Sequence, residues 1–220
     1  MDEFLAPGRY VDSDAPAQVE FARSVTAGAK SDLERIVRLY RAIRDSVAYD
    51  PYVDLADPAN YRASSVLTGG RGFCVGKAAV LAASARSLGI PARLGYADVK
   101  NHMTSPKLYA QMQTDVFIWH SYAEVFVEGR WAKATVAFDL ALCDRIGVQP
   151  LEFDGRNDSL FQPFDRQGRR HMEYLKDRGT FADVPFEAIQ SDFRTAYPAL
   201  MASRGMQGDF RAEAVAGSED

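Results

Sequence analysis

The sequence predicts an α+β fold in which helices pack on an antiparallel sheet and a candidate nucleophile sits at the N-terminus of one helix. Three stretches carry that expectation. An amphipathic run from Ser31 repeats apolar residues at helical spacing, an alanine-rich run after Cys74 reads as a buried helix, and two β-rich runs meet at Glu128 and Gly129.

Residues 1 to 15 carry Pro7, Gly8 and several aspartates without a period, and read as a loosely held arm. A short helix is expected from Pro16 to Thr26. In the next helix Ser31 and Glu34 stand in capping-box spacing, and Leu33, Ile36, Val37, Tyr40, Ile43 and Val47 form the apolar stripe. Pro51 follows, and the prolines and glycines of 50 to 72 predict a loop with short turns. Residues 75 to 88 predict a buried helix closed by Gly89 and Pro91. Residues 92 to 99 read as a strand, and 101 to 114 as a loop or lid. "DVFIWHSYAEVFVEG" and "RWAKATVAF" form a hairpin whose tight turn is Glu128-Gly129. Between 150 and 179, turns alternate with aromatic residues and no element is assigned. Phe186, Ile189, Phe193, Tyr197 and Leu200 mark a last helix, with Pro198 near its end. One domain is expected over residues 1–202, with its core at 61–140 and a frayed, disordered tail at 203–220.

At 47% hydrophobic and 25% charged residues, composition is that of a soluble globular chain, with no apolar run long enough for a membrane span. No signal or transit pattern opens the sequence, so the expected location is cytoplasmic. A net charge of −4 argues against a nucleic-acid surface, and "GRR" at 168 to 170 reads as a solvated turn. The two cysteines, Cys74 and Cys143, are expected as free thiols. No histidine or cysteine pair has metal-ligand spacing, and "TGGRGF" lacks the lysine of a phosphate loop, so neither metal nor cofactor is expected.

Cys74 follows "GGRGF" and begins a helix, where unpaired amides favour thiolate and the cysteine's own amide can donate to an oxyanion. A lone cysteine is more often a small buried apolar residue, so a partner base is needed. His120, in an apolar strand beside Trp119, is that partner, since helix-on-sheet packing can bring the two together. Asp139, just past the hairpin, is the nearest downstream acid to orient the imidazole. Cys143, without a glycine approach or a neighbouring histidine, reads as a structural thiol. His102 and His171 read as surface loop histidines, and Glu124 as a strand acid with a basic neighbour.

"GRGFCVGKAAVLAASARSLGIPARLGY" followed by "WHSYAEVFVEGRWAKATVAFD" resembles the transglutaminase-like superfamily over about residues 61 to 140. G-x-C at 72 to 74, Tyr96, His120 to Val125 and G-x-W at 129 to 131 occur in its order. The resemblance implies a papain-like Cys-His-Asp site with Cys74 on a helix and His120 on a strand. The family commonly places its aspartate four residues after the hairpin tryptophan, where this chain has Thr135. Asp139 is then the local substitute, with Thr135, Asp154 and Asp158 as alternatives, and Glu124 gains a supporting place beside the site.

The implied function is a cysteine-nucleophile hydrolase of amide or peptide bonds working through a thioester, with a peptide, protein or small amide as substrate. Two alternatives stand: a transglutaminase with an amine acceptor, and an inactive binding module of the same fold, motivated by the missing acid at 135. Oligomeric state is left open.

Overall fold

The computed structural model describes residues 1 to 214. The helices α1 (Pro16–Val25) and α2 (Asp32–Ser46) open the chain. Ser31 Oγ accepts the Glu34 amide at 3.2 Å while the Glu34 carboxylate accepts the Lys30 amide at 2.9 Å, so the expected cap is present, shifted by one amide. A two-residue strand β1 (Ala48–Tyr49) follows. The stretch expected as loop contains a 3₁₀ turn at Pro58–Tyr61 and the helix α3 (Ala63–Gly69). Strand β2 (Arg71–Gly72) then pairs in parallel with β1, Tyr49 opposite Gly72, and leads into α4 (Cys74–Ser87). Each residue of α4 from Val75 to Arg86 is buried, as the alanine run predicts.

The main sheet comprises β3 (Ala92–Asn101), β4 (Val116–Val127), β5 (Arg130–Ala134) and β6 (Met172–Phe181), in the antiparallel order β5-β4-β3-β6. The β4–β5 turn falls at Glu128 and Gly129, both at positive φ (51° and 80°), which matches the twist of a tight hairpin. Helix α4 lies against β4 and β3, with α1, α2 and α3 around it. The expected lid contains a helix, α5 (Pro106–Met112), capped by Ser105 Oγ on the Leu108 amide. Past the hairpin come α6 (Leu140–Ile146), α7 (Phe186–Ala196), α8 (Pro198–Ala202) and α9 (Phe210–Glu213). The single C-terminal helix expected from periodicity is broken before Pro198, which cannot supply the amide a continuous helix needs.

Two expectations are corrected. The N-terminal arm is tied down: the Asp183 carboxylate accepts the amides of Arg9, Tyr10 and Val11, and Phe4 packs edge-on against Trp131 at 5.4 Å. The tail expected to be frayed from Ser203 is ordered as far as Ala214, with Phe210 packed against Tyr49 and Tyr52. The rest of that tail, 215 to 220, lies outside the described residues.

Lys77, one turn after Cys74, is fully buried. Its ammonium donates to the carbonyls of Arg44 (3.0 Å) and Val47, at the C-terminal end of α2 where carbonyls lack partners. Burial pulls this lysine down to about 7, against the opposing pull of Asp139 and Asp45.

Candidate active site

The parallel pairing of β1 with β2 fixes Gly72 and delivers Cys74 to the first turn of α4. Phe73 caps that helix without a side-chain hydrogen bond, so the first amides of α4 are free to face the sulfur or a ligand. Cys74 is half-buried and lines a narrow apolar cavity of about 40 Å³ together with His120. Tyr49, Phe73, Leu108, Met112 and Tyr197 form much of its wall.

The amides of Val75 and Cys74 itself act on the sulfur as a helix start leads one to expect, favouring thiolate, and the Ser121 amide of β4 adds to them. Burial outweighs them and pushes the thiol up to about 11. His120 is pulled the other way, down to about 4, by burial and then by His171. Both shifts favour the neutral forms, thiol and imidazole, against the thiolate that an uncapped helix start alone leads one to expect. Alkylation of Cys74 by iodoacetamide should accordingly rise about tenfold per pH unit between pH 7 and 10, following the thiolate fraction. A rate that is flat from pH 5 upward, measured by mass spectrometry, would show a stored ion pair instead. Cys143, wholly buried in α6 and pushed up to about 12 by burial, should react more slowly at every pH.

His120 also lines a second small cavity, of about 10 Å³, whose wall includes Thr135, Phe138 and Gln162. His120 thus borders both the cavity of Cys74 and that of Thr135. His120 Nε2 and Thr135 Oγ1 are both buried with no hydrogen-bond partner among the described residues. Thr135 is held by its backbone, its amide donating to the Ser159 carbonyl at 2.8 Å.

Asp139 is placed elsewhere, and its assignment as the partner of His120 is corrected. Its carboxylate caps α6 through the Leu142 amide (3.0 Å), accepts the Tyr49 amide (3.2 Å) and pairs with Arg211 at 2.8 Å. Burial opposes its ionisation, yet those donors hold the carboxyl below its usual value. Among the described residues no hydrogen bond joins it to His120. Asp154 turns back on the amides of Arg156 and Asn157, and Asp158 accepts the Lys133 amide. Both are exposed, so neither alternative acid supports the imidazole.

Glu124 pairs with Arg93 at 2.6 Å, and the Arg93 guanidinium lies over Trp131 and Phe4, so the basic neighbour is found. His102 pairs with Glu173 at 3.2 Å. His171 is not a surface residue: it is 1% exposed and its ring lies against Phe138. Among the described residues no group of three or more His, Cys, Asp or Glu side chains has metal-binding geometry, and no helix is long and apolar enough to cross a membrane.

One feature of the site has no counterpart in the sequence pattern. Trp119, next to His120, adopts φ 59°, a left-handed conformation costly for a bulky residue. Its amide donates to Asp98 (3.1 Å), its indole donates to Asp192 (2.9 Å), and Arg178 stacks 4.6 Å over the ring while pairing with both carboxylates. These contacts hold the backbone that aims the imidazole. Residues spread along the chain from Asp98 to Asp192 leave no periodic trace, so only the fold discloses the clamp.

A family model described as the transglutaminase-like superfamily matches residues 19–136, more than half of the 220-residue chain. The chain belongs to the transglutaminase-like superfamily. The match ends just past Thr135, so the superfamily core holds Cys74 and His120 while α6 and everything after it lie outside. No curated protein matches the chain. Among solved structures, the chain is similar to "a Putative Cysteine Protease from Cytophaga hutchinsonii", with a TM-score of 0.52 and 21% identity. That match covers 84% of this chain and 48% of the other, so the chain spans about half the neighbour's length. The likeness supports the superfamily's α+β, papain-like fold. A second structure, of "a putative protease from Parabacteroides distasonis", matches with a TM-score of 0.41 and 18% identity, over 64% of this chain and 26% of that one.

Proposed function

We propose that this protein is a cysteine-nucleophile hydrolase of amide or peptide bonds, with Cys74 as nucleophile and His120 as its base. One observation carries the reading: the thiol at the uncapped start of α4 and the imidazole of β4 line the same cavity. His120 takes the thiol proton as the sulfur attacks the substrate carbonyl. The free amides at the start of α4, that of Cys74 included, receive the developing oxyanion. His120 returns the proton to the departing amine, leaving a thioester; water then attacks with His120 again as base, releasing the acid and restoring the thiol. The name of the Cytophaga hutchinsonii neighbour agrees with this chemistry.

Since burial favours the neutral forms of both groups, in this reading the imidazole acts as a general base during attack rather than as a stored cation. The cavity at the sulfur is small, about 40 Å³, and Leu108 and Met112 of α5 form part of its wall. We assign the orienting place to Thr135, as a positioning residue acting on His120, because the two residues line one cavity and Thr135 Oγ1 and His120 Nε2 both lack a partner among the described residues. Thr135→Val should lower kcat at least tenfold with KM little changed, and an equal loss in Asp139→Ala would move the orienting role back.

The reading is tested by screening small amides, peptides and glutamine donors with and without a primary amine, with Cys74→Ala as blank. Acid release and a Cys74 acyl adduct seen by mass spectrometry are expected. Turnover that survives in Cys74→Ala would reject the nucleophile, amine incorporation would make the protein an acyltransferase, and neither turnover nor adduct would leave the inactive binding module.

A further inference from the structure

A hollow larger than the cavity that holds the sulfur lies apart from it. It measures about 290 Å³ and lies between the 101–106 loop, α6, the 169–171 turn and α9. Its wall combines residues inside the superfamily match, 101 to 108, with residues beyond it, 138 to 214. Leu108 lines both this pocket and the Cys74 cavity, and Phe138 lines both this pocket and the His120–Thr135 cavity. The pocket therefore shares walls with both cavities that border the reacting groups.

His171 lies in its wall, 1% exposed, with its ring stacked on Phe138 at 5.8 Å. Its backbone is fully used, the amide donating to the Pro163 carbonyl and the carbonyl accepting the His102 amide. Its Nδ1 is buried without a partner among the described residues. Burial, ahead of the opposing pull of Asp165 and the Gln162 carbonyl, holds the ring neutral, pulled down to about 4. A neutral imidazole keeps one ring nitrogen as an acceptor, and Nδ1 is the one buried without a partner among the described residues. The charges at the rim are balanced: Arg169 pairs with Asp165 at 2.6 Å, and Arg170 and His102 share Glu173. The floor is apolar, formed by Leu142, Ile146, Phe138 and Phe210.

We propose that this pocket is the specificity pocket of the Cys74 site and takes a large uncharged apolar side chain of a peptide or small amide, one substrate N–H donating to His171 Nδ1. The volume lies at the low end for ligand sites and suits one side chain with its amide. The unmatched acceptor asks for a donor, and the balanced rim offers no advantage to a charged group. The proposal rests on Cys74 being the nucleophile, but its test does not.

In the Cys74→Ala protein, N-acetyl-phenylalaninamide, N-acetyl-leucinamide and the acidic N-acetyl-aspartic amide are titrated while the imidazole nitrogens are followed by NMR. The two apolar amides should bind at least tenfold more tightly than the acidic one and shift the His171 Nδ1 resonance. His171→Phe, which keeps a ring against Phe138 but removes the acceptor, should weaken them about tenfold. Ile146→Trp, which fills the floor from the end of α6, should abolish binding in a folded protein. An unmoved His171 resonance, unchanged affinity in both variants, or preference for the acidic amide would overturn the proposal. Turnover is impossible in this protein, so a failure here condemns the pocket alone, whereas an absent acyl adduct in the unmodified protein condemns the nucleophile.

Discussion

Asp139→Ala is expected to lower stability by about 3 kcal/mol while leaving turnover per folded molecule within a few-fold of the parent. Three losses combine: the cap of α6, worth about 1 kcal/mol, the buried Tyr49 amide left unpaired, about 1–3 kcal/mol, and the ion pair with Arg211, which is partly exposed and so contributes less than a buried one. They are not additive, and about 3 kcal/mol corresponds to a fall in Tm of roughly 10 °C for a chain of this length. Thermal unfolding by circular dichroism reads the first part, and initial rates corrected for folded fraction read the second. The pH dependence carries a sign. A carboxyl held below its ordinary value near 3.8 contributes its full stability above that pH and loses it as pH falls below, so the variant should show a shallower acid limb. Loss of turnover matching Cys74→Ala at full folding would make Asp139 the acid of the site after all.

The second large effect is expected at Gly76→Ala. A Cβ there would lie 2.5 Å from the Asn60 carbonyl oxygen and 2.8 Å from Val66 Cγ2. The valine can turn, but the carbonyl belongs to the backbone of the 3₁₀ turn at Pro58–Tyr61, so either that turn or the first turn of α4 must shift. Overpacking of this kind costs about 1–3 kcal/mol when side chains can yield, and more when backbone must. Because Cys74 is two residues away, the shift also displaces the sulfur from His120. Activity should fall at least a hundredfold in the fraction that folds, with Cys74 alkylation becoming faster as the cavity loosens. A variant with normal Tm and normal rate would show that the contact is softer than its geometry.

Much of the candidate site was legible before any coordinates, because its signals are local. The glycine approach, the alanine helix and the Glu128-Gly129 hairpin each encode an element in consecutive residues, and superfamily order tied Cys74 to His120. What was illegible depends on residues distant in the chain. Asp139 reads as a triad acid by proximity along the strand, yet Arg211 and the Tyr49 amide claim it, and neither is near it in sequence. His171 reads as a loop residue because its neighbours are arginines and glycine, while its burial comes from Phe138 and the 101–106 loop. Strand β6 escaped because most of its residues are exposed at a sheet edge, so "MEYLKDRGTF" shows no apolar alternation to betray it. The thiol was misjudged for a different reason: an uncapped helix start favours thiolate, but how dry the surroundings are is a property of the fold.

The lysine that spans from α4 to the end of α2 makes the molecule its own gauge of global opening. An amine with no exposed surface cannot meet an acylating reagent unless helices part, so modification at position 77 proceeds only through molecules that have transiently come undone. Its labelling rate, set against that of the exposed Lys30, would measure how often the scaffold beneath the sulfur comes apart in the absence of any denaturant.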